Sequence, residues 1–351
     1  MNAAFSTAPA RAHAWQVAAA LGLALGGWLP APQAQAQAQP FPLTVQSCGQ
    51  PLRFDAPPKR AVFHDKNMLA MALALQLQPQ MVGVTGLTGW YGVGPQLQRA
   101  LGDVPELAPR AASLETLLAA RPDFFFAGWS YGMHPGGPVT PDTLAREGVK
   151  TLVLSESCIR VDKSRPTASM ALLYDDFIKL GAIFGKREQA QGLVNSWKKR
   201  VADLPPPPAG EPVRVFLYDS GEGSPTTGGR HAMPEALITA AGGRNIMDDL
   251  ATSWTRTSWE IVATRNPELI LMLGSQGDPD AARLKNYLRT HPVMRRLEAV
   301  KSERFLVLRY EEVTPSPANI DAIEKINAAI RATRVPATRA SSANVPAAHA
   351  Q

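Results

Sequence analysis

Short apolar runs alternate along most of this chain with stretches whose apolar residues recur at helical spacing. Residues 61–64 and 81–84 have the continuous apolar character of buried strands, and residues 67–77 between them repeat with a helical period. The same alternation returns between 113 and 154. Strands that alternate with helices predict mainly parallel sheets covered by helices on both faces. We therefore expect an α/β protein.

Two segments of the chain, 113–126 and 258–271, are near copies that align without a gap. Each begins with a serine suited to cap a helix and continues through a short apolar-periodic stretch to a proline. Each then enters an apolar strand. Because the copies lie far apart in the chain, they predict two similar α/β lobes rather than a short-period solenoid. Two such lobes enclose a cleft, and ligands often bind at domain interfaces.

The middle of the chain departs from the strand–helix alternation. Residues 168–204 have a helical pattern throughout, apart from a break at 184–185, and the pattern ends in the proline run 205–208. A helical stretch without a strand between two α/β segments predicts a connector. The expected segments are an N-terminal lobe (41–185), a long rigid connecting helix with its proline-rich exit (186–208), a C-terminal lobe (209–332) and a disordered tail (333–351).

The N-terminus has the pattern of an export signal. Arg11 precedes an apolar stretch at 15–29 that is too short for a membrane span, and small-x-small cleavage patterns follow at 34–38. We expect residues 1–38 to be a signal peptide and the mature protein to be periplasmic.

Composition narrows the classes of function. The formal charge of +6 is spread along the chain without a run of basic and aromatic residues, so we expect no nucleic-acid partner. The chain has two cysteines, Cys48 and Cys158. In an oxidising compartment such a pair favours a disulfide, and two buried thiols are the alternative. Neither cysteine has a second ligand at metal-binding spacing, so we expect no metal site.

The order of elements, the paired serine–glutamate units and the segments 180–185 and 240–245 resemble class III substrate-binding proteins of bacterial ABC importers. The resemblance covers 41–332. It implies two lobes joined by a rigid helix, with a ligand held in a shallow cleft between them. The implied ligands are iron-siderophores, haem or cobalamin, and the implied partner is the ABC permease dimer of the inner membrane. We also expect a monomer without a resident cofactor.

Within that class, residues 128–133, 157–158 and 174–176 look like a subgroup assigned to a deazaflavin coenzyme precursor. A conjugated cofactor of this kind is therefore the alternative ligand. All of these ligands suit an aromatic, partly basic cleft.

Ligands of open α/β sheets bind outside the carboxyl ends of the strands, which indicates the candidate site residues. These positions follow the predicted strands at 64–66, 85–91, 129–133, 155–157, 219–230, 274–276 and 310–312. The residues we expect to contact the ligand are His64, Trp90, Tyr91, Trp129, Tyr131, Tyr218, Arg230 and Tyr310.

Several of these residues also have a structural interpretation. Trp129 and Tyr131 could be core aromatics, although their glycine-rich surroundings favour a role facing the ligand. Tyr218 and Tyr310 end strands and can face either the cleft or a neighbouring helix. Arg230 follows a pair of glycines and could clamp a carboxylate or phosphate, or lie solvated at the surface.

Glu115 and Glu260 occupy the same position in the two copies, each in the first turn of a capped helix. A carboxylate there stabilises the helix dipole, which is sufficient reason for either one alone. The resemblance implies a further role, because one glutamate of each lobe docks onto permease arginines in proteins of this class.

An enzyme is the competing class of function. Residues 219–225 form a glycine-containing loop after a strand, but Pro225 and Thr226 break the dinucleotide pattern and Ser224 does not lie in a nucleophile elbow. We therefore expect no enzyme. A periplasmic hydrolase is the minor alternative, and the recovery of ligand unchanged after incubation distinguishes the two.

Overall fold

Two parallel sheets, one in each half of the chain, organise the fold. The computed structural model describes residues 41–89, 93–274 and 279–334. The strands are β1 (Leu43–Ser47), β2 (Gln50–Phe54), β3 (Ala61–His64), β4 (Met81–Thr85), β5 (Glu106–Ala108), β6 (Phe124–Trp129), β7 (Gly132–Met133), β8 (Lys150–Val153), β9 (Val213–Tyr218), β10 (Thr226–Gly228), β11 (Gly243–Asn245), β12 (Trp254–Arg256), β13 (Leu269–Leu273) and β14 (Phe305–Leu308).

The α-helices lie between and around these strands. They are α1 (Asp65–Ala74), α2 (Pro95–Leu101), α3 (Leu114–Ala119), α4 (Pro141–Arg146), α5 (Met170–Ile183), α6 (Arg187–Ala202), α7 (Met233–Ala240), α8 (Trp259–Arg265), α9 (Pro279–Thr290), α10 (Glu298–Lys301), α11 (Tyr310–Val313) and α12 (Asn319–Thr333). None of the helices in the described ranges combines the length and apolarity that a membrane span needs.

The first sheet has six strands in the order β5-β4-β3-β6, with β7 and β8 both paired to β6, and all pairings are parallel. Its central strand β6 is buried along its whole length. Phe124 and Phe126 belong to the apolar cluster that includes α1 and α5, whereas Phe125 and Ala127 belong to a cluster on the other face. Successive strand residues point to opposite faces, so a continuous apolar run fits a strand that is covered on both sides.

The second sheet has the order β11-β9-β13-β14 and is also parallel. Val215 and Leu217 of β9 belong to the cluster that contains residues of α7 and α12, and Phe216 packs with Trp259 in a separate cluster. The predicted α/β class with two lobes and mainly parallel sheets is confirmed.

The predicted helical middle of the chain consists of two helices, α5 and α6. The chain turns between them at Gly185, whose positive φ of 70° suits a residue without Cβ at a helix end. Phe177 and Trp197 pack the two helices together with their ring centroids 4.6 Å apart. Arg200 of α6 donates to Asp321 and Glu324 of α12, and these contacts attach the connector to the second lobe.

The expected segments at the two ends of the chain fall mostly outside the described residues. The predicted signal peptide 1–38 lies outside the described residues, and so do positions 335–351 of the predicted tail. Helix α12 continues to Thr333, one residue beyond the lobe boundary that the sequence indicated.

The sequence did not indicate the antiparallel hairpin of β1 and β2. Cys48 and Gly49 form its two-residue turn with φ values of 48° and 82°, which suits the hairpin turns that need two positive φ angles. A disulfide joins Cys48 to Cys158 in the first lobe. Beside it, the Val153 amide donates to Ser47 Oγ over 2.9 Å. The hairpin is therefore attached to the sheet by one covalent and one polar contact.

Removal of this disulfide should lower the free energy of unfolding. The bond closes a loop with a sequence separation of 110 residues, and the chain-entropy model assigns such a loop roughly 5 kcal/mol. We expect the C48S/C158S variant to unfold at a lower urea concentration than the oxidised wild type. Reduced wild type is the control and should match the variant. An unchanged urea midpoint in both would contradict this role for the bond.

Candidate functional site

The first and second lobes meet along a seam of hydrogen bonds between loops at the carboxyl ends of their strands. We define the seam by three contacts that cross between the lobes: Asp65 with Tyr310, Tyr131 with Trp254, and Glu156 with Ser253. Since buried polar groups must find partners, these contacts fix how the two lobes face each other.

Asp65 follows β3 directly and starts α1 in the left-handed region, with φ 64°. Few residues with a Cβ adopt this conformation, and such strain concentrates at functional sites. The Tyr310 hydroxyl donates to Asp65 Oδ2 over 2.7 Å, and the Lys66 amide donates to Oδ1 over 2.7 Å. Burial raises the pKa of Asp65, and the hydrogen bond from Tyr310 opposes that shift.

Glu156 lies in the 3-10 turn Ser155–Arg160 that follows β8, and only 2% of the residue is exposed. Its Oε1 accepts from Ser253 Oγ over 3.0 Å and from the Met233 amide over 3.3 Å, both in the second lobe. Burial raises the pKa of Glu156 to about 7. This carboxyl is thus an interlobe acceptor that is close to half protonated at neutral pH.

Asp176 of α5 positions the turn that contains Glu156. Its carboxylate accepts from the Ser155 amide over 2.8 Å and from Ser155 Oγ over 2.5 Å. Burial raises the pKa of Asp176 to about 6, against the opposing charge of Lys179. A helix of the first lobe therefore determines where the interlobe carboxyl lies.

Tyr131 and Trp254 form the third contact of the seam. The Trp254 indole Nε1 donates to the Tyr131 hydroxyl over 2.8 Å. Tyr131 occupies a tight turn between Ser130 and Gly132, whose φ values are 69° and 85°. A Cβ on Gly132 would lie 2.7 Å from the His64 ring, so this turn requires glycine.

His64 is buried at the base of this turn. Its Nδ1 lies 2.8 Å from Thr85 Oγ1, and Gly86 and Gly132 leave room for the ring. Burial lowers the pKa of His64 to about 4, so the ring is neutral at neutral pH. The structure therefore places His64 beneath the seam as a hydrogen-bonded packing residue.

Of the other expected residues in the described ranges, none contributes its side chain to the three seam contacts. Tyr218 is fully buried, with its ring centroid 5.0 Å from that of Trp259, so it belongs to the core of the second lobe instead of the cleft. Arg230 donates to the Asp249 carbonyl over 2.9 Å. The Trp129 amide donates to Ser157 Oγ over 2.9 Å, and Trp129 is largely buried. Trp90 and Tyr91 lie outside the described residues.

Sequence reasoning included Asp65 and Glu156 only as positions after strands, and it omitted Arg160. Arg160 ends the 3-10 turn of Glu156, and its Nη2 donates across the seam to the Trp254 carbonyl over 3.3 Å. No local pattern distinguishes this arginine from a surface residue. Within the described ranges, no group of three or more His, Cys, Asp or Glu side chains could hold a metal ion.

Glu115 and Glu260 are both exposed in first turns that serines cap. Ser113 Oγ accepts from the Thr116 amide over 3.2 Å, and Ser258 Oγ accepts from the Ile261 amide over 3.3 Å. The hydrogen bond with Ser113 lowers the pKa of Glu115. A hydrogen bond from its own backbone amide lowers the pKa of Glu260, and a smaller contribution comes from the hydrogen bond with the Ser258 side chain. Both carboxylates are charged at neutral pH.

Comparison with known proteins gives matches across both lobes. A family model described as periplasmic binding protein matches residues 63–311. The vitamin B12-binding protein of Yersinia pestis (strain Pestoides F) is 28% identical over 200 residues, covering 54% of this chain and 66% of the relative. The chain thus spans just under two thirds of the length of this curated relative.

Solved structures are similar over a larger share of the chain. A periplasmic binding protein from Veillonella parvula dsm 2008 has a TM-score of 0.69 at 25% identity, covering 83% of this chain and 97% of that protein. An ABC-type Fe3+-hydroxamate transport system protein from Saccharomonospora viridis DSM 43017 also has a TM-score of 0.69, at 24% identity, covering 82% and 99%.

Because Glu156 is buried, the free energy of unfolding should fall as the pH rises. Its pKa in the folded protein is raised from 4.5 to about 7, so the folded state retains a proton that the unfolded chain releases. This retained proton contributes roughly 3 kcal/mol to the free energy of unfolding below pH 4.5. The contribution is lost as the pH rises from 4.5 to about 7. We expect E156Q, which mimics the protonated acid, to match the wild type near pH 4.5 and exceed its stability at pH 8.

Urea unfolding at a series of pH values measures this difference. His64 has the opposite dependence, because its lowered pKa costs stability as pH falls from 6.5 towards 4. That effect is common to both proteins and cancels in the comparison. E188Q, which changes an exposed glutamate of α6, is the control and should follow the wild type. A constant difference between E156Q and wild type across the pH range would contradict the assignment.

Proposed function

The chain belongs to the periplasmic binding protein family, and on this premise we propose that it is the ligand-capturing component of an ABC importer. In this proposal, residues 1–38 direct export and are removed, and the mature protein works in the periplasm as a monomer. It captures a bulky chelate or tetrapyrrole-like ligand, namely an iron-siderophore, haem or cobalamin. It then delivers that ligand to the permease in the inner membrane without changing it chemically.

The observation behind this proposal is the family match over 63–311, which begins in β3 of the first lobe and ends in α11 of the second. The match therefore includes both sides of the seam. The ligand class in this proposal follows the relatives, because one is a vitamin B12-binding protein and a structural neighbour comes from an Fe3+-hydroxamate transport system.

The seam supports a ligand site between the lobes. It combines aromatic rings with polar groups at the carboxyl ends of both sheets, where open α/β folds bind ligands. Trp254 donates to the Tyr131 hydroxyl there, the Tyr310 hydroxyl donates to Asp65, and Trp129 ends the neighbouring strand. In this proposal the hydrogen-bonded aromatics form the base of the site. Trp90 and Tyr91 remain candidate ligand contacts from the sequence alone.

A deazaflavin precursor or another conjugated cofactor is the second candidate ligand. Residues 128–133, which suggested that subgroup, form the turn that presents Tyr131 at the seam. The same site would accept the planar ring system of such a cofactor by stacking.

Ligand titration tests the proposal. Haemin, cobalamin, a ferric trihydroxamate and a flavin are added to the mature protein, and quenching of tryptophan fluorescence gives each dissociation constant. We expect saturable binding of one class and recovery of that ligand with its mass unchanged. A chemically altered product would favour the hydrolase alternative. Absence of binding in all four titrations would contradict the proposed function.

Glu115 and Glu260 supply a separate prediction for delivery. Both are exposed and charged, and Ile261 beside Glu260 is one of the exposed large apolar residues of the described chain, at 43%. Such a patch suits a protein partner. We expect the E115K/E260K variant to lose uptake in cells by at least about tenfold, as for a broken interfacial charge pair. Ligand affinity and the thermal midpoint of the isolated protein should stay close to wild type.

The matched control is E188K/E298K, which reverses two other exposed first-turn glutamates, on α6 and α10. It makes the same change of net charge, and it also removes two carboxylates that stabilise helix dipoles at their N-termini. Uptake by the control should resemble that of the wild type. Normal uptake by E115K/E260K, or equal loss in both double variants, would refute a specific docking role.

A further inference from the structure

Arg160 is placed to meet a ligand at the seam. It ends the 3-10 turn that follows β8, and its Nη2 reaches the Trp254 carbonyl of the second lobe over 3.3 Å. The residue is half-buried and lies at the edge of the seam.

Most of the hydrogen-bonding capacity of Arg160 is not used by the protein. A guanidinium has five N–H donors, and in the described ranges Arg160 makes only the hydrogen bond to Trp254 and no salt bridge. Several arginines of the described chain are instead paired with acids, such as Arg265 with Asp249 and Arg289 with Glu303. Arg160 therefore retains a fork of donors suited to two oxygens of a carboxylate or phosphate.

The surroundings of Arg160 are basic. Lys163 and Arg165 follow in the same loop, and Arg256 lies across the seam on β12, two positions after Trp254. The loop contains one acid, Asp162, whose Oδ1 already accepts from the Ser164 amide over 3.0 Å and from its hydroxyl over 2.6 Å. Burial raises the pKa of Glu156, and the positive charge of Arg160 partly opposes that shift. Residues 160–165 thus contain three cations and one acid.

An apolar surface adjoins these cations. Val161 is 48% exposed and is, with Ile261, one of the large apolar residues that remain exposed in the described chain. Trp254, whose carbonyl accepts from Arg160, is half-buried at the seam. A rim that pairs exposed apolar surface with unused guanidinium donors suits a ligand that has a conjugated body and an acidic substituent.

We propose that Arg160, supported by Lys163, Arg165 and Arg256, binds a carboxylate or phosphate of the ligand while its conjugated body packs over Val161 and Trp254. This inference rests on the proposed function and narrows its ligand class to acidic conjugated compounds. It also assigns anion recognition to Arg160 in place of Arg230, the arginine that the sequence indicated. Chelates without a free acidic group lack the partner that this rim offers.

Two pairs of probes that differ only in their acidic groups test the proposal. Haemin is compared with its dimethyl ester for carboxylate recognition, and flavin mononucleotide with riboflavin for phosphate recognition. Each is titrated into wild type, R160Q and R160K by tryptophan quenching. Hydrogen bonds to charged groups correspond to a preference of roughly 10- to 100-fold. We expect that preference for the acidic member of at least one pair in the wild type.

In R160Q the preference should fall to within about threefold, and R160K should retain part of it, because lysine keeps the charge and loses the fork. A general effect of the substitution on the seam would change the affinities for both probes of a pair alike. The ratio of the two dissociation constants is therefore insensitive to it. R146Q is the matched control and should keep the wild-type ratio. Arg146 ends α4 at the opposite edge of the sheet, just before β8 begins.

Each remaining outcome counts against the proposal. Equal affinity for both members of each pair, or a preference that survives in R160Q, would overturn it and leave the proposed function standing. Binding of only cyanocobalamin or a neutral ferric trihydroxamate would do the same. Absence of binding by every probe would overturn both the proposal and the function on which it rests.

Discussion

The cost of burying polar groups determines how the two halves of this molecule fit together. Asp65, Tyr131 and Glu156 extend from the first lobe into a region that water does not reach, and each has a hydrogen-bond partner on the second lobe. A buried polar group without a partner costs about 1–3 kcal/mol, so displacement of the lobes would be penalised at several points together. The seam therefore defines one preferred arrangement of the lobes.

The same constraint explains why the expected ligand aromatics have structural roles. Tyr131 and Tyr310 donate or accept hydrogen bonds across the seam, and His64 is held beneath it by Thr85. Their positions are fixed by neighbours, which makes the base of the proposed site rigid. Pre-organisation of this kind lowers the cost of ordering side chains when a ligand binds. Under our proposals, the contacts that select a ligand lie at the rim, where Arg160 and Val161 are not fully engaged by the protein.

The two parallel sheets place this rim and the capped helices at related positions. Helices α3 and α8 each precede a buried strand, and each begins with a serine cap and an exposed glutamate. A helix that leads into a parallel strand begins at the edge where the strands end, so Glu115 and Glu260 lie on the same side of their sheets as the seam loops. Under our proposals, the ligand-binding face and the docking face therefore share one edge of the fold.

The sequence by itself determined the elements whose causes are local. Strands β3 and β9, the break between α5 and α6, and the caps at Ser113 and Ser258 all follow from periodicity and residue type within a few positions. The fold class followed from their order. The β1–β2 hairpin was not predicted, because its strands are short and their antiparallel pairing depends on a turn with two positive φ angles.

Only the tertiary structure decided which side chains meet. The pairs Asp65–Tyr310, Tyr131–Trp254 and Glu156–Ser253 are separated by 245, 123 and 97 positions in the chain. Tyr218 ends a strand as Tyr310 follows one, yet Tyr218 packs in a core and Tyr310 crosses the seam. Local patterns specify periodicity and capping over a few residues. Burial depends on the groups that folding brings together from distant parts of the chain. The pKa of Glu156 and the unused donors of Arg160 depend on those groups in the same way.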